Sequence, residues 1–201
     1  MGNLNETPSA NRLHIGIYGK TNSGKSSLIN AVTKQEVSIV ADVAGTTTDP
    51  VYKPMEIHPL GPCVIIDTAG FDDDSELGER RVEKTHLAAE KTDIAVVVLD
   101  IAEVIAAKKA GVPFKKAFKD EAEWSLLFAK KHTPVVFALN KIDEILLSAE
   151  AQEKSSGKLD NAAIEAAKCW VYEENSAVMG KNADNSFEVV AVNALKGCLL
   201  Y

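Results

Sequence analysis

Gly19-Lys20-Thr21-Asn22-Ser23-Gly24-Lys25-Ser26 decides how this chain is read. The stretch fits G-x-x-x-x-G-K-[ST], a pattern expected by chance in roughly one chain per hundred of this length. Leu13 to Tyr18 before it predicts a strand. Lys25 to Thr33 after it carries Leu28, Ile29 and Val32 on one side and predicts a helix. A glycine turn before a surface helix would share the glycines; the strand and the Lys-Ser pair favour a phosphate cradle. Gly19 and Gly24 let the backbone curl so that successive N–H groups point inward, assisted by the helix N-terminus. Lys25 then bridges β- and γ-phosphate oxygens, and the Ser26 hydroxyl ligates magnesium. Asn22, Ser23 and Ser27 belong to the same expected contact set.

Outward from the loop, Val51 to His58 and Cys63 to Asp67 predict strands joined by the turn Pro59-Leu60-Gly61-Pro62. Ile94 to Leu99 is a continuous apolar run, as in a strand covered on both faces. Helical stretches at Arg80 to Lys91, Glu121 to Lys131 and Ala162 to Tyr172 alternate with strands at Val135 to Leu139 and Phe187 to Val192. That alternation predicts an α/β fold with a mostly parallel central sheet, whose ligands bind beyond the carboxyl ends of the strands. Residues 1–12 form a polar arm and residues 13–201 one domain. Ile101 to Lys119 and Ser148 to Asn185 are longer than such a core requires. No closing helix precedes Tyr201, which suggests truncation.

Three further motifs fall at predicted strand ends. Asp67-Thr68-Ala69-Gly70 follows the strand at Val64 to Ile66; Asp67 suits the magnesium shell and the Gly70 amide the γ-phosphate. Asn140-Lys141-Ile142-Asp143 follows the next buried strand. The Asp143 carboxylate can accept hydrogen bonds from guanine N1–H and its 2-amino group. Adenine lacks both donors and would leave a desolvated carboxylate unpaired. The combination predicts GTP and GDP as ligands and a three-layer P-loop NTPase of the Ras-like G-domain type. Asn193-Ala194-Leu195 follows the last strand, where the Ala194 amide can contact guanine O6. Ala44 to Asp49 is a threonine-rich irregular stretch; Thr47, by its spacing before Asp49, is the expected magnesium ligand and γ-phosphate sensor.

Composition narrows the setting. The net charge of -7 argues against a general nucleic-acid surface, which needs clustered Lys and Arg. Cys63, Cys169 and Cys198 are far apart without a CxxC, as in a reduced cytoplasmic protein. No apolar stretch approaches the roughly 20 residues of a membrane span, and no membrane partner is expected.

Taken together, the motifs resemble the TrmE/Era group of GTPases, with Asn22 in the loop and Gly45-Thr46-Thr47 in the first switch. The resemblance implies a potassium ion held by Asn22. It also accounts for Phe71 after Asp67-x-x-Gly70, where Ras-like proteins carry a catalytic glutamine. The chain is more closely similar to HydF-type GTPases of [FeFe]-hydrogenase maturation. That likeness is carried by Asn5-Glu6-Thr7-Pro8, Asn11 to Ile15, Gly45 to Val51, Asp67 to Asp73, Glu76-Leu77-Gly78 and Arg81 to Thr85. It implies hydrogenase or other maturation proteins as partners; a homodimer through the G domain is a separate expectation. The cysteines do not match the family's cluster-ligand spacing, so no iron–sulfur cluster is expected here.

The expected reaction is in-line attack of water on the γ-phosphate, with Lys25, Thr47 and Gly70 at the reacting group. Without a glutamine, unassisted turnover is expected at roughly 10⁻⁴–10⁻² s⁻¹. Glu76 and Glu79 are candidates to activate the water. The alternatives to a maturation GTPase are a TrmE/Era-type GTPase in tRNA modification or ribosome assembly, and a GTP-dependent interaction module with incidental hydrolysis.

Overall fold

The computed structural model of the chain describes residues 12–34, 51–57, 59–68, 87–145, 157–179, 187–194 and 198–200. Its strands are β1 (Leu13–Tyr18), β2 (Val51–Ile57), β3 (Gly61–Asp67), β4 (Ile94–Asp100), β5 (Val135–Asn140), β6 (Phe187–Asn193) and β7 (Cys198–Leu200). They form one sheet in the order β2-β3-β1-β4-β5-β6-β7. β3, β1, β4, β5 and β6 run parallel, while β2 and β7 lie antiparallel on the edges. The helices are α1 (Lys25–Lys34), α2 (Ile101–Lys109), α3 (Phe114–Ala117), α4 (Lys119–Lys130) and α5 (Gly157–Met179).

Alternation along the strands divides the core into two halves, one on each face of the sheet. Ile15 and Ile17 of β1, Val98 of β4 and Ala138 of β5 pack with Leu28 and Ile29 of α1. Their strand neighbours Tyr18, Val97, Leu99 and Phe137 pack on the other face with Phe114, Phe118, Phe128 and Ile164. Each such fully buried apolar side chain contributes about 1.5–3 kcal/mol. The result is the three-layer arrangement expected from the sequence. Tyr18 is buried with Trp124 and Phe128 around it, and its hydroxyl shares a 2.7 Å hydrogen bond with Thr92 Oγ1. Burial pushes that phenol up to about 12.

Two long segments are more regular than their composition suggests. Ile101 to Lys119 holds α2 and α3, because Asp100 at the end of β4 turns the chain directly into a helix. Its carboxylate accepts from the Ala102 amide at 2.9 Å. α5 reaches well beyond Ala162 to Tyr172 in both directions, and its buried side holds Ile164, Ala167 and Val171 at helical spacing. The described part of the Arg80 to Lys91 helix is residues 87–90. Gly61 opens β3 at φ +82 with nothing near its side-chain position, so backbone conformation alone calls for glycine there. No helix among the described residues is long and apolar enough to cross a membrane.

Candidate functional site

Because β1, β3, β4, β5 and β6 are parallel, their carboxyl ends bring the Gly19 loop, Asp67, Asp100, Asn140 and Asn193 to one edge of the sheet. The register makes this concrete: Ile17 pairs with Asp67, and Asp100 pairs with Asn140. Motifs separated by more than a hundred residues in sequence thus become neighbours.

The phosphate loop leaves β1 at Gly19 (φ +138) and enters α1 after Gly24 (φ +93). A Cβ on Gly19 would lie 2.4 Å from the Val98 carbonyl, and one on Gly24 would lie 2.0 Å from Asn140 Nδ2. Both positions therefore need glycine for space as well as for backbone angle. Between them Asn22 sits exposed at φ +64, a conformation asparagine tolerates better than most residues. The Leu28 amide bonds to the Gly24 carbonyl at 2.9 Å and starts the ladder of α1.

The buried Lys25 ammonium donates to the Gly19 carbonyl at 2.7 Å and the Lys20 carbonyl at 2.6 Å. Two carbonyls thus hold the charge against the loop's own backbone. Ser26 is exposed and Ser27 half-buried, while Ser23 is buried with no hydrogen-bond partner for its Oγ among the described residues. Asp67 is half-buried; burial pushes its carboxyl up, and Lys53, 3.8 Å away, and Lys25 pull it back. Thr68 fixes the end of β3 to the end of β1 through a 2.6 Å bond from its Oγ1 to the Ile17 carbonyl.

Asn140 ties the site together. Its Nδ2 donates to the Ser23 carbonyl at 3.0 Å, and its Oδ1 accepts from the Ala194 amide at 3.3 Å. It is 2% exposed and acts as a brace between the phosphate loop and the chain beyond β6. Lys141 follows at φ +65, and its ammonium donates to Asp100 Oδ2 at 2.7 Å, which holds the lysine's pKa up. The buried Ile142 pins the next turn to the core and presents Asp143 beside it. Asp143 Oδ1 is buried and has no hydrogen-bond partner in the described structure. Asn193 is buried at the end of β6.

Thr47, Gly70 and Leu195 lie outside the described residues, as do the whole Ala44 to Asp49 stretch, Phe71, Glu76, Glu79 and the arm up to Asn11. Two residues of the site escaped the motif reading. Thr68 sits inside a motif but contributes through a hydrogen bond to β1. Asp100 carries no motif, although an Asp between an apolar strand and Ile101-Ala102-Glu103 is a recognisable helix cap.

Ser26 and Asp67 offer hard oxygen donors of the kind magnesium takes, so the residues present fit that ion. Among the described residues no group of three or more His, Cys, Asp or Glu could hold a metal by itself.

Strand order, phosphate loop and the Asn140 to Asp143 turn define a P-loop GTPase G domain. The family described as 50S ribosome-binding GTPase matches residues 14–141, more than half of the chain, and the chain belongs to that family. It is similar to GTPase Der of Mycoplasmopsis pulmonis, 54% identical over 65 residues that cover 32% of this chain and 15% of the relative. It is also similar to tRNA modification GTPase MnmE of Laribacter hongkongensis, 34% identical over 132 residues, 65% of this chain and 26% of the relative. Aquifex aeolicus Era bound to GDP and AlF4- superposes with a TM-score of 0.58 at 25% identity, covering 92% of this chain and 52% of that one. Era bound to MgGDPNP and a 16S ribosomal RNA fragment gives the same values. The chain spans 15% and 26% of the lengths of the two curated relatives named.

Proposed function

We propose that this chain binds GTP and hydrolyses it slowly as the G domain of a TrmE/Era/Der-type GTPase. The observation that carries the reading is Asp143: a buried carboxylate oxygen with no hydrogen-bond partner among the described residues, one turn beyond the Asn140 that braces the phosphate loop. An unpaired buried acceptor costs about 1–3 kcal/mol, and guanine N1–H and its 2-amino group would remove that cost. ATP would leave it standing.

In this reading Gly19, Asn22, Ser23, Gly24, Lys25, Ser26 and Ser27 receive the phosphates. Lys25, held by two loop carbonyls, offsets charge as the γ-phosphate leaves. Ser26, Asp67 and Thr47 would hold magnesium, which supplies neutralisation of the β- and γ-phosphate oxygens when bound. Gly70 would contribute its amide to the γ-phosphate. Asn140 and Lys141 shape the base pocket around Asp143, Asn193 and Ala194 lie at its far side, and Leu195 would complete it. Asn22, exposed within the loop, is the proposed potassium ligand.

The similarity to a tRNA modification GTPase and to Era bound to 16S ribosomal RNA favours work on tRNA or ribosomes. A second reading, a HydF-type maturation GTPase, is supported by the arm at Asn5 to Ile15 and by Gly45 to Val51. Both give this domain the same chemistry.

Calorimetric titration tests the base assignment. The native protein is expected to prefer GTP to ATP by at least about 100-fold. Asp143→Asn should transfer that preference to xanthosine triphosphate, whose 2-oxo group meets the new amide donor. A variant that still prefers GTP to the xanthine nucleotide contradicts the assignment.

A further inference from the structure

We propose that the exposed lysines of α2, α3 and the start of α4 form a binding strip for the phosphate backbone of RNA. The choice of RNA among polyanions rests on the tRNA-or-ribosome reading above; the strip itself rests on charge and placement.

Lys108 to Lys119 belongs to a segment longer than the core requires, and it holds five lysines in 12 positions. No acidic residue lies between Glu103 and Asp120, although the whole chain carries -7. Lys108, Lys109, Lys115, Lys116 and Lys119 are all exposed. Among the described residues none of the five has an ion-pair partner. Lys108 donates to the Ala166 carbonyl at 2.7 Å, a neutral acceptor that leaves its charge uncompensated.

The core holds this strip in place. Ile101, Val104, Phe114 and Phe118 are buried, and the Phe114 amide donates to Glu174 Oε2 at 2.8 Å. That carboxylate offsets at most one of the five charges. Ala166 and Glu174 both belong to α5, so Lys108 and Phe114 are moored about 12 Å apart along one helix. From there the chain runs on to the phosphate loop, where the Lys20 ammonium reaches the Ala117 carbonyl at 3.2 Å.

Fold stability does not call for so many cations. The dipole of α2 favours Lys108 and Lys109 in its last turn. α3 is a single turn with little dipole of its own, and Lys119 opens α4, the end at which a dipole opposes a cation. Like charges crowded on one surface repel, and a polyanion would relieve that repulsion. Lysine meets phosphate as a point charge, without the planar fork by which arginine reads a base edge. The strip has no arginine, and its aromatic rings are buried, so it offers neither base readout nor stacking. Its large apolar residues face the core, unlike those of a helix lying in a membrane surface. What remains is sequence-tolerant contact with a phosphate backbone. The net charge of the whole chain conceals such a patch.

Fluorescence anisotropy of the whole chain with a labelled RNA hairpin tests the strip. Affinity should fall with salt at a log–log slope of about -3.5 to -4.5 if all five lysines meet phosphates. Replacing Lys115, Lys116 and Lys119 together by Gln should reduce that slope by about 2–3 and weaken binding at least about tenfold at 50 mM salt. GTP affinity should stay within about twofold, because none of the three belongs to the nucleotide site. Lys91→Gln with Lys130→Gln removes charge from exposed positions elsewhere and should cost less than about threefold. An equal loss per charge in the two variants would make the attraction a matter of net charge and overturn the strip. RNA binding that persists in the triple variant overturns it too, while leaving the reading above intact. Native protein that leaves the RNA free, or sediments with phosphatidylserine–phosphatidylcholine vesicles in its place, overturns both the strip and the choice of RNA. Failure of the GTPase reading shows separately, as native protein that binds no guanine nucleotide.

Discussion

On the phosphate side, residues 19–26 take their shape from atoms that are missing. Gly19 clears the Val98 carbonyl and Gly24 clears the Asn140 amide, each at a positive φ. On the base side, residues 140–143 take theirs from atoms that are present. Asn140 reaches Ser23 and Ala194, and Lys141 holds a left-handed backbone while its ammonium grips Asp100. The first half should therefore break when something is added, and the second when something is removed. The two meet at one contact, since the amide that Gly24 makes room for is the amide that braces the loop.

Adding a methyl should have the largest effect. Gly24→Ala places a carbon 2.0 Å from Asn140 Nδ2 at φ +93, so the brace and the loop cannot both keep their positions. Backbone strain alone costs about 1–3 kcal/mol, and with the clash GTP affinity should fall by about 100-fold or more in a fluorescent-nucleotide titration. Removing the brace comes next. Asn140→Ala leaves the Ser23 carbonyl and the Ala194 amide without it, at about 1–3 kcal/mol for each group that stays buried. Calorimetry should show Tm lower by several degrees, at about 2–4 °C per kcal/mol for this size. Unchanged Tm would mean that the brace is dispensable.

The smallest effect concerns Asn22, an exposed loop residue whose proposed role is a single side-chain oxygen. Native phosphate release is expected to be about fivefold faster in potassium than in sodium, electrostatic stabilisation of this order being modest for phosphoryl transfer. Asn22→Gly retains the positive φ and drops the oxygen, so it should erase the difference. Equal native rates in the two salts would remove the potassium role and leave Asn22 as a loop former.

The same contrast explains what the sequence could disclose. The phosphate loop was legible because its constraints are local: two glycines, a lysine and a serine within eight positions, between a strand and a helix. Asn140 and Asp143 were legible as a motif, but the brace was not, because Ser23 lies 117 positions away. Asp100 went unread because its partner Lys141 is 41 positions on and its cap looks ordinary. Glu121 resembles any first-turn acid, yet it is 1% exposed, which its position in the sequence does not disclose. α5 outran its expected limits because polar residues flank its clearest apolar spacing.

The Asn140 brace also bears on how the protein comes to exist. A contact between residues 23 and 140, and another between 140 and 194, can close only after most of the chain has been laid down and its parallel strands aligned. Loop-closure entropy is paid before such distant pairings return anything, so the nucleotide pocket should mature late in folding. A guanine nucleotide would then find no pocket in the partly folded chain and would bind only the finished one. By mass action it would draw the population toward that state, by about 2.7 kcal/mol at a hundredfold excess over its Kd. Ligand supply during synthesis would then help to set how much working protein accumulates.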